Sequence, residues 1–130
     1  MRQYNPRLTA PYRKYKAVRT VVDGITFDSK RESKRYMELK RMQDEGLISD
    51  LELQKKFLLI PEIRLPDSTG PRGGKIKGRQ LERPVYYVAD FVYQQDGKQV
   101  VEDCKGMRTD VYKIKRRLMQ ERYNITIRET

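Results

Sequence analysis

The sequence predicts an α/β domain built in the order helix, three strands, helix, strand. Three observations carry this. Residues 29–45 repeat with helical period behind a Ser29 cap, residues 48–60 form an apolar run of strand length, and Val85 to Lys105 alternates on either side of an Asp96-Gly97 turn. With 130 residues the chain suffices for one modest core. Although 36% of it is charged and only 37% hydrophobic, the alternating apolar runs are those of a folded chain.

Residues 1–23 read as a basic N-terminal arm and 24–130 as one domain. No acidic residue precedes Asp23, while Arg13, Lys14 and Lys16 are interleaved with Tyr12 and Tyr15. That composition suits phosphate neutralisation with tyrosines free to stack, which the net charge favours over a merely solvated terminus. Ala17 to Val22 reads as a short strand leading into the Asp23-Gly24 turn. In the first helix Glu32, Tyr36, Leu39 and Gln43 share a face with Met42 beside them, and Gly46 ends it. Glu32 fits two roles: it completes a capping box with Ser29, the better reading from spacing alone, and it projects from the margin of the face that meets the sheet. Strand Ile48 to Ile60 follows, ended by Pro61, with Gln54 and Lys56 on one face, which the sequence alone directs to water rather than to a neighbouring site.

Residues 61–84 predict a long loop rich in Gly and Pro, carrying Arg72, Lys75, Lys77 and Arg79. A connection of that length is functional or a mobile linker; its charge suits a nucleic-acid clamp. After the hairpin and Gly106, Thr109 caps a helix to about Tyr123 whose expected buried stripe is Val111, Ile114, Leu118 and Met119. Its other surfaces are basic, and Lys113 and Arg116 are candidates for phosphate contact. A last strand is expected at Asn124 to Arg128.

Net charge of +11, from 29 basic and 18 acidic residues, points to a polyanionic partner, nucleic acid first. No stretch approaches the roughly 20 apolar residues of a membrane span, and no signal-peptide pattern opens the chain, so the expectation is an intracellular protein. One cysteine and no histidine exclude an internal disulfide and imidazole chemistry. Any catalysis must therefore run on carboxylates, lysine and a bound metal.

The hairpin offers such a set. A two-residue turn at Asp96-Gly97 makes paired positions sum to a constant, so Val92 faces Val101, Asp90 faces Asp103 and Val88 faces Lys105. The alternation places Val88, Asp90, Val92, Val101, Asp103 and Lys105 on one face, and Tyr87, Ala89, Phe91, Tyr93, Val100, Glu102 and Cys104 on the other. Both faces are apolar, so the sheet is covered on both sides. Opposed carboxylates there, about 4.5–5.5 Å apart at Cβ, repel unless something compensates. Magnesium would: it binds through one or two carboxylates plus waters and phosphate oxygens. Lys105 beside it suits orientation of a water or stabilisation of a phosphorane.

With Asp90, the Asp103-Cys104-Lys105 run, Glu32 and this element order, the chain resembles the PD-(D/E)XK nuclease superfamily. The stretches DGITFDSKRE, YVADFVY and VVEDCKG are similar to a small phage and prophage endonuclease family related to Holliday-junction resolvases and transposase endonuclease subunits. The resemblance covers roughly Gly24 to Arg128. It implies a restriction-endonuclease-like αβββαβ core with a mixed sheet flanked by helices, Mg²⁺ or Mn²⁺ on Asp90 and Asp103, Lys105 as catalytic lysine, Glu32 as accessory ligand and Gln54 near the site. A one-residue bulge would exchange the facing of Glu102 and Asp103, which leaves Glu102 as the alternative second ligand.

The function expected is a metal-dependent DNA endonuclease acting on branched or structured DNA in phage recombination, repair or replication, in the cytoplasm of a bacterial host. Symmetric junctions suit a homodimer. A DNA-binding or assembly factor that keeps the nuclease fold without turnover is the alternative. An RNA-binding module fits less well, for want of a recognised RNA-binding signature.

Overall fold

A computed structural model describes residues 18–105 and 107–130. The readings placed on Arg13, Lys14, Lys16 and Gly106 lie outside the described residues. Strands β1 (Thr20–Val22) and β2 (Ile25–Phe27) pair across the Asp23-Gly24 turn, whose two residues both take positive φ. This hairpin lies against helix α1 (Lys30–Asp44), with the Phe27 and Tyr36 rings 5.1 Å apart. The Ser29 side chain accepts from Glu32 N at 3.2 Å, so the expected cap is formed. After Gly46, at φ +78°, the chain enters β3 (Ser49–Ile60).

Strands β8 (Val85–Gln95) and β9 (Lys98–Asp103) form the expected hairpin, with φ of +53° at Asp96 and +74° at Gly97. The pairing constant set by that turn holds from Gln95↔Lys98 to Phe91↔Glu102, where the ladder ends. Neither Asp90 and Asp103 nor Val88 and Lys105 are ladder partners, contrary to the simple extrapolation, because the strands part after Phe91. Helix α2 (Asp110–Tyr123) follows, and β10 (Arg128–Glu129) runs parallel to β9. The central sheet has the order β10-β9-β8-β3 and is mixed, with α1 packing with one core and α2 with the other. None of the described helices is long and apolar enough to cross a membrane.

Alternation along the sheet breaks once. Phe91, Tyr93 and Leu53 pack with Tyr36 and Leu39 of α1, whereas Tyr87, Ala89 and Phe57 pack with Val92, Val101 and the α2 residues Tyr112 and Met119. Both strands therefore exchange faces between the Leu53↔Phe91 and Lys55↔Ala89 pairs without a change of register. The crossing point is Gln54 opposite Asp90, and Gln54 takes φ +55° to make it. This corrects two expectations. Tyr87 and Ala89 share a face with Val92 rather than with Phe91, and Gln54 does not simply share a strand face with Lys56.

Residues 61–84 are not a featureless loop. They fold as nested ladders, β4 (Ile63–Arg64) with β7 (Gln80–Glu82) and β5 (Ser68–Thr69) with β6 (Lys75–Ile76), prolonging the β3–β8 hairpin into a ribbon. Leu65 N donates to Arg79 O and Gly78 N to Asp67 Oδ1, which bridges the two ladders. Gly78 passes so close to the other strand that a Cβ there would stand 1.7 Å from Leu65 O. Gly78→Ala is accordingly expected to open the ribbon while sparing the core. Hydrogen exchange should rise across 63–82 with little change elsewhere; unchanged protection at Leu65 would contradict this.

Helix α2 is rotated from the expected phase. Thr109 caps it as read, accepting from Tyr112 N at 3.1 Å, but Tyr112 and Met119 are its buried residues. Val111 and Ile114 are 63% and 61% exposed and Leu118 is only partly buried. A tyrosine seven residues before Met119 fills the core position that Val111 and Ile114 appeared to claim. The last strand begins four residues later than expected, since Asn124 is the left-handed C-cap of α2 at φ +55°.

Candidate metal centre and its surroundings

Where β8 and β9 part, the Asp90 side chain takes the place of a ladder partner: its Oδ2 accepts from Cys104 N at 2.9 Å. A group in that gap is reachable from both faces of the sheet. From the α1 side comes Glu32, buried in the first turn of the helix. Gln54 Nε2 lies 3.3 Å from both Glu32 Oε1 and Asp90 Oδ1, donating between two carboxylates. Gln54 remains exposed, so its amide reaches the carboxylates from the rim of the site.

On the α2 side is Asp103, buried, with Tyr87 O–H donating to its Oδ2 at 2.7 Å and Lys105 Nζ at 3.2 Å. Lys105 Nζ also stands 4.4 Å above the Tyr112 ring, and Arg31 of α1 holds its carbonyl at 3.0 Å. Ammonium and backbone are thus fixed from opposite layers. Tyr87, Tyr112 and Arg31 were missed in the sequence. The Tyr87 signal was hidden by the face exchange; that of Tyr112 was available in its spacing to Met119.

Glu102 points to the opposite face, fully buried. Arg35 Nε donates to one oxygen and Nη2 to the other at 3.2 Å, while Tyr93 O–H at 2.7 Å and Thr130 O–H at 2.9 Å complete the set. Its acceptor sites are occupied by structural partners, and it is Asp103 whose nearby carboxyl acts on Asp90.

Electrostatics bind the acids into one unit. Burial raises the Asp90 carboxyl above its ordinary range, and the neighbouring Asp103 carboxyl raises it further, with Glu32 adding to both. A raised carboxyl favours its protonated form, which relieves the repulsion that a cation would otherwise offset. Glu32 is likewise raised, by burial first, then by Asp28 and Asp103, with Lys105 opposing. A cavity of about 260 Å³, lined by Phe27, Asp28, Glu32, Leu53 and Gln54 among others, opens beside this group.

Among the described residues no three His, Cys, Asp or Glu side chains form a ready cation cage. The Gln54 amide lies between Glu32 and Asp90, and Asp103 is engaged by Tyr87 and Lys105. The donor chemistry nevertheless fits Mg²⁺ or Mn²⁺: the acids are all-oxygen donors, mutually repelling and partly shielded from water, and Mg²⁺ uses one or two carboxylates with waters rather than a closed protein cage. Of the candidate phosphate-binding residues, Arg72, Lys77 and Arg79 stand exposed on the ribbon, where Lys75 also lies, 3.4 Å from Asp67. Lys113 is exposed on α2, whereas Arg116 is tied to Glu129 at 2.7 Å. The structure does not bring these cations to one place; they lie on two separate elements.

A family model described as "Protein of unknown function (DUF1064)" matches residues 12–129. The chain belongs to the DUF1064 family. No curated protein and no solved structure matches it. DUF1064 membership is consistent with a nuclease-like protein in general.

In this DUF1064 protein the raised Asp90 carboxyl sets the sign of a pH effect. The folded state holds a proton that the unfolded chain would release, so the group costs nothing below the ordinary carboxylate range. It costs progressively more stability as pH rises toward the raised value. Asp90→Asn removes that cost and retains an acceptor for Cys104 N. Without added metal the variant is expected to melt about 3–5 °C above the parent at pH 7, and with no difference near pH 3.5, by thermal unfolding followed by circular dichroism. A lower melting temperature at pH 7 would contradict the repulsion.

Proposed function

We propose that this chain is a Mg²⁺- or Mn²⁺-dependent DNA endonuclease that hydrolyses phosphodiester bonds in branched or otherwise structured DNA, in the service of phage recombination, repair or replication. The observation that supports this reading is the convergence of Glu32, Asp90, Asp103, Gln54 and Lys105 at the gap between β8 and β9. Glu32, Asp90 and Asp103 are the residues that would hold the cation. Bound there, it would supply Lewis-acid polarisation of the scissile phosphate and a lowered pKa for water.

The chain's own groups have separate tasks. Lys105 Nζ, fixed between Asp103 and the Tyr112 ring, orients the attacking water or meets the charge that grows on the phosphoryl oxygens. Tyr87 holds Asp103 in place by its hydroxyl. Gln54 donates to Glu32 and Asp90, and rotation of its amide would present its oxygen instead. Arg72, Lys75, Lys77 and Arg79 of the ribbon, and Lys113 of α2, supply sequence-independent attraction for the DNA backbone.

Purified protein incubated with labelled Holliday junction, flap, duplex and single-stranded DNA tests the proposal. The expected result is cleavage of the branched forms with Mg²⁺ or Mn²⁺ and none in EDTA. Folded protein that cleaves none of them would overturn it, and salt-sensitive binding without turnover would leave the reading of a DNA-binding or assembly factor.

A further inference from the structure

Beyond the face exchange at Gln54 and Asp90, the two longest strands carry one covered face and one open face. Phe57, Leu59, Tyr87 and Ala89 are packed with the α2 core. The other face holds Lys56, Leu58 and Ile60 of β3 against Tyr86 and Val88 of β8, in the pairs Lys56↔Val88 and Leu58↔Tyr86. Among the described residues it is left open: Tyr86 is 39% exposed, Val88 38% and Ile60 44%. Lys56 Nζ lies 5.7 Å from the centroid of the Tyr86 ring. No carboxylate stands on this face between residues 55 and 60 or between 85 and 89.

We infer that this face is a seat for an unpaired DNA strand, with a base stacked on Tyr86 and a phosphate near Lys56. Three features select that occupant. Position is the first: Lys56 and Val88 are each two residues from Gln54 and Asp90, so the platform begins where the carboxylates end. At the rise of a β-strand Tyr86 stands about 13 Å along β8 from Asp90, a few nucleotides from the bond to be cut. Chemistry is the second, since an exposed tyrosine with a lysine beside it and aliphatic side chains around it binds bases through stacking and the backbone through charge. Charge is the third. A second copy of this chain, at net +11, would bring cation against cation, whereas a polyanion is attracted.

This inference rests on the nuclease reading for its polarity toward the site, but its test does not need turnover. Binding is followed by fluorescence anisotropy in EDTA, with labelled oligo(dT) and a duplex of equal length as probes. Tyr86→Ala is expected to weaken oligo(dT) binding about tenfold while duplex affinity stays within about twofold, and Tyr86→Phe to bind as the parent does. Val88→Glu, which sets a carboxylate opposite Lys56, should abolish the oligo(dT) preference and gives an independent reading if Tyr86→Ala does not fold. The inference is overturned if oligo(dT) affinity is unchanged in both variants, or if oligo(dT) and duplex affinity fall together. Conversion of a parent dimer to a monomer by Tyr86→Ala would likewise overturn it, assigning the face to a second copy. Absence of cleavage with this binding pattern intact would sink the nuclease reading alone.

Discussion

Lys105→Ala is expected to lower metal-dependent cleavage by about 10²–10⁴-fold and to leave DNA affinity within about twofold. The size follows from placement. Lys105 Nζ is held by two interactions, 3.2 Å from Asp103 and 4.4 Å above the Tyr112 ring, so its ammonium is preorganised. Affinity is spared because the ribbon carries several exposed cations and no single charge dominates a backbone-binding surface. Tyr112→Leu should reproduce part of the loss by freeing the ammonium, whereas Tyr112→Phe keeps the ring and should retain activity. Single-turnover cleavage rates, measured beside anisotropy, check both statements. A Lys105→Ala enzyme within tenfold of the parent would remove Lys105 from the chemistry.

Arg35→Met is expected to cost about 3–5 kcal/mol of stability, the usual cost of breaking a buried ion pair from one side. The partner left behind is Glu102, fully buried and holding bonds only from Tyr93 and Thr130 once the guanidinium is gone. Thermal unfolding should show a fall of roughly 10 °C or more, and the double variant Arg35→Met, Glu102→Leu should recover much of it, because replacing both charges removes the stranded carboxylate. The pair also has a positional consequence. Arg35 lies one turn after Glu32 and Glu102 lies next to Asp103, so the clamp brings the first helix to the strand that carries the second acid. Equal melting temperatures for parent and Arg35→Met would show that the network adds nothing.

Much of this was legible in the sequence because it was written in local rules. Ser29 and Thr109 announced both helix starts through their side-chain acceptors, and Asp96-Gly97 set a hairpin register that holds to Phe91↔Glu102. Alternation failed where the chain departs from it. Nothing in a period-two pattern signals that Gln54 takes φ +55° and that two strands exchange faces together, and so Tyr87 was assigned away from the acid it bonds. The ribbon at 61–84 was hidden because its ladders are only two or three residues long and its side chains are exposed throughout, which leaves no buried stripe to read. Three aliphatic residues at helical spacing outvote one tyrosine in the sequence of α2, yet Tyr112 is the one packed in the core, with Lys105 and Arg116 beside its ring.

The carboxylates decide the account, and Mn²⁺ titration by calorimetry addresses them most directly. The parent protein at pH 7 is expected to bind Mn²⁺ saturably and to release protons as it does so, since the cation favours the ionised form of the raised Asp90 carboxyl. Asp90→Asn and Asp103→Asn should each abolish that isotherm while remaining folded. Saturable binding that persists unchanged in both variants, or none in the parent, would contradict the assignment of this centre.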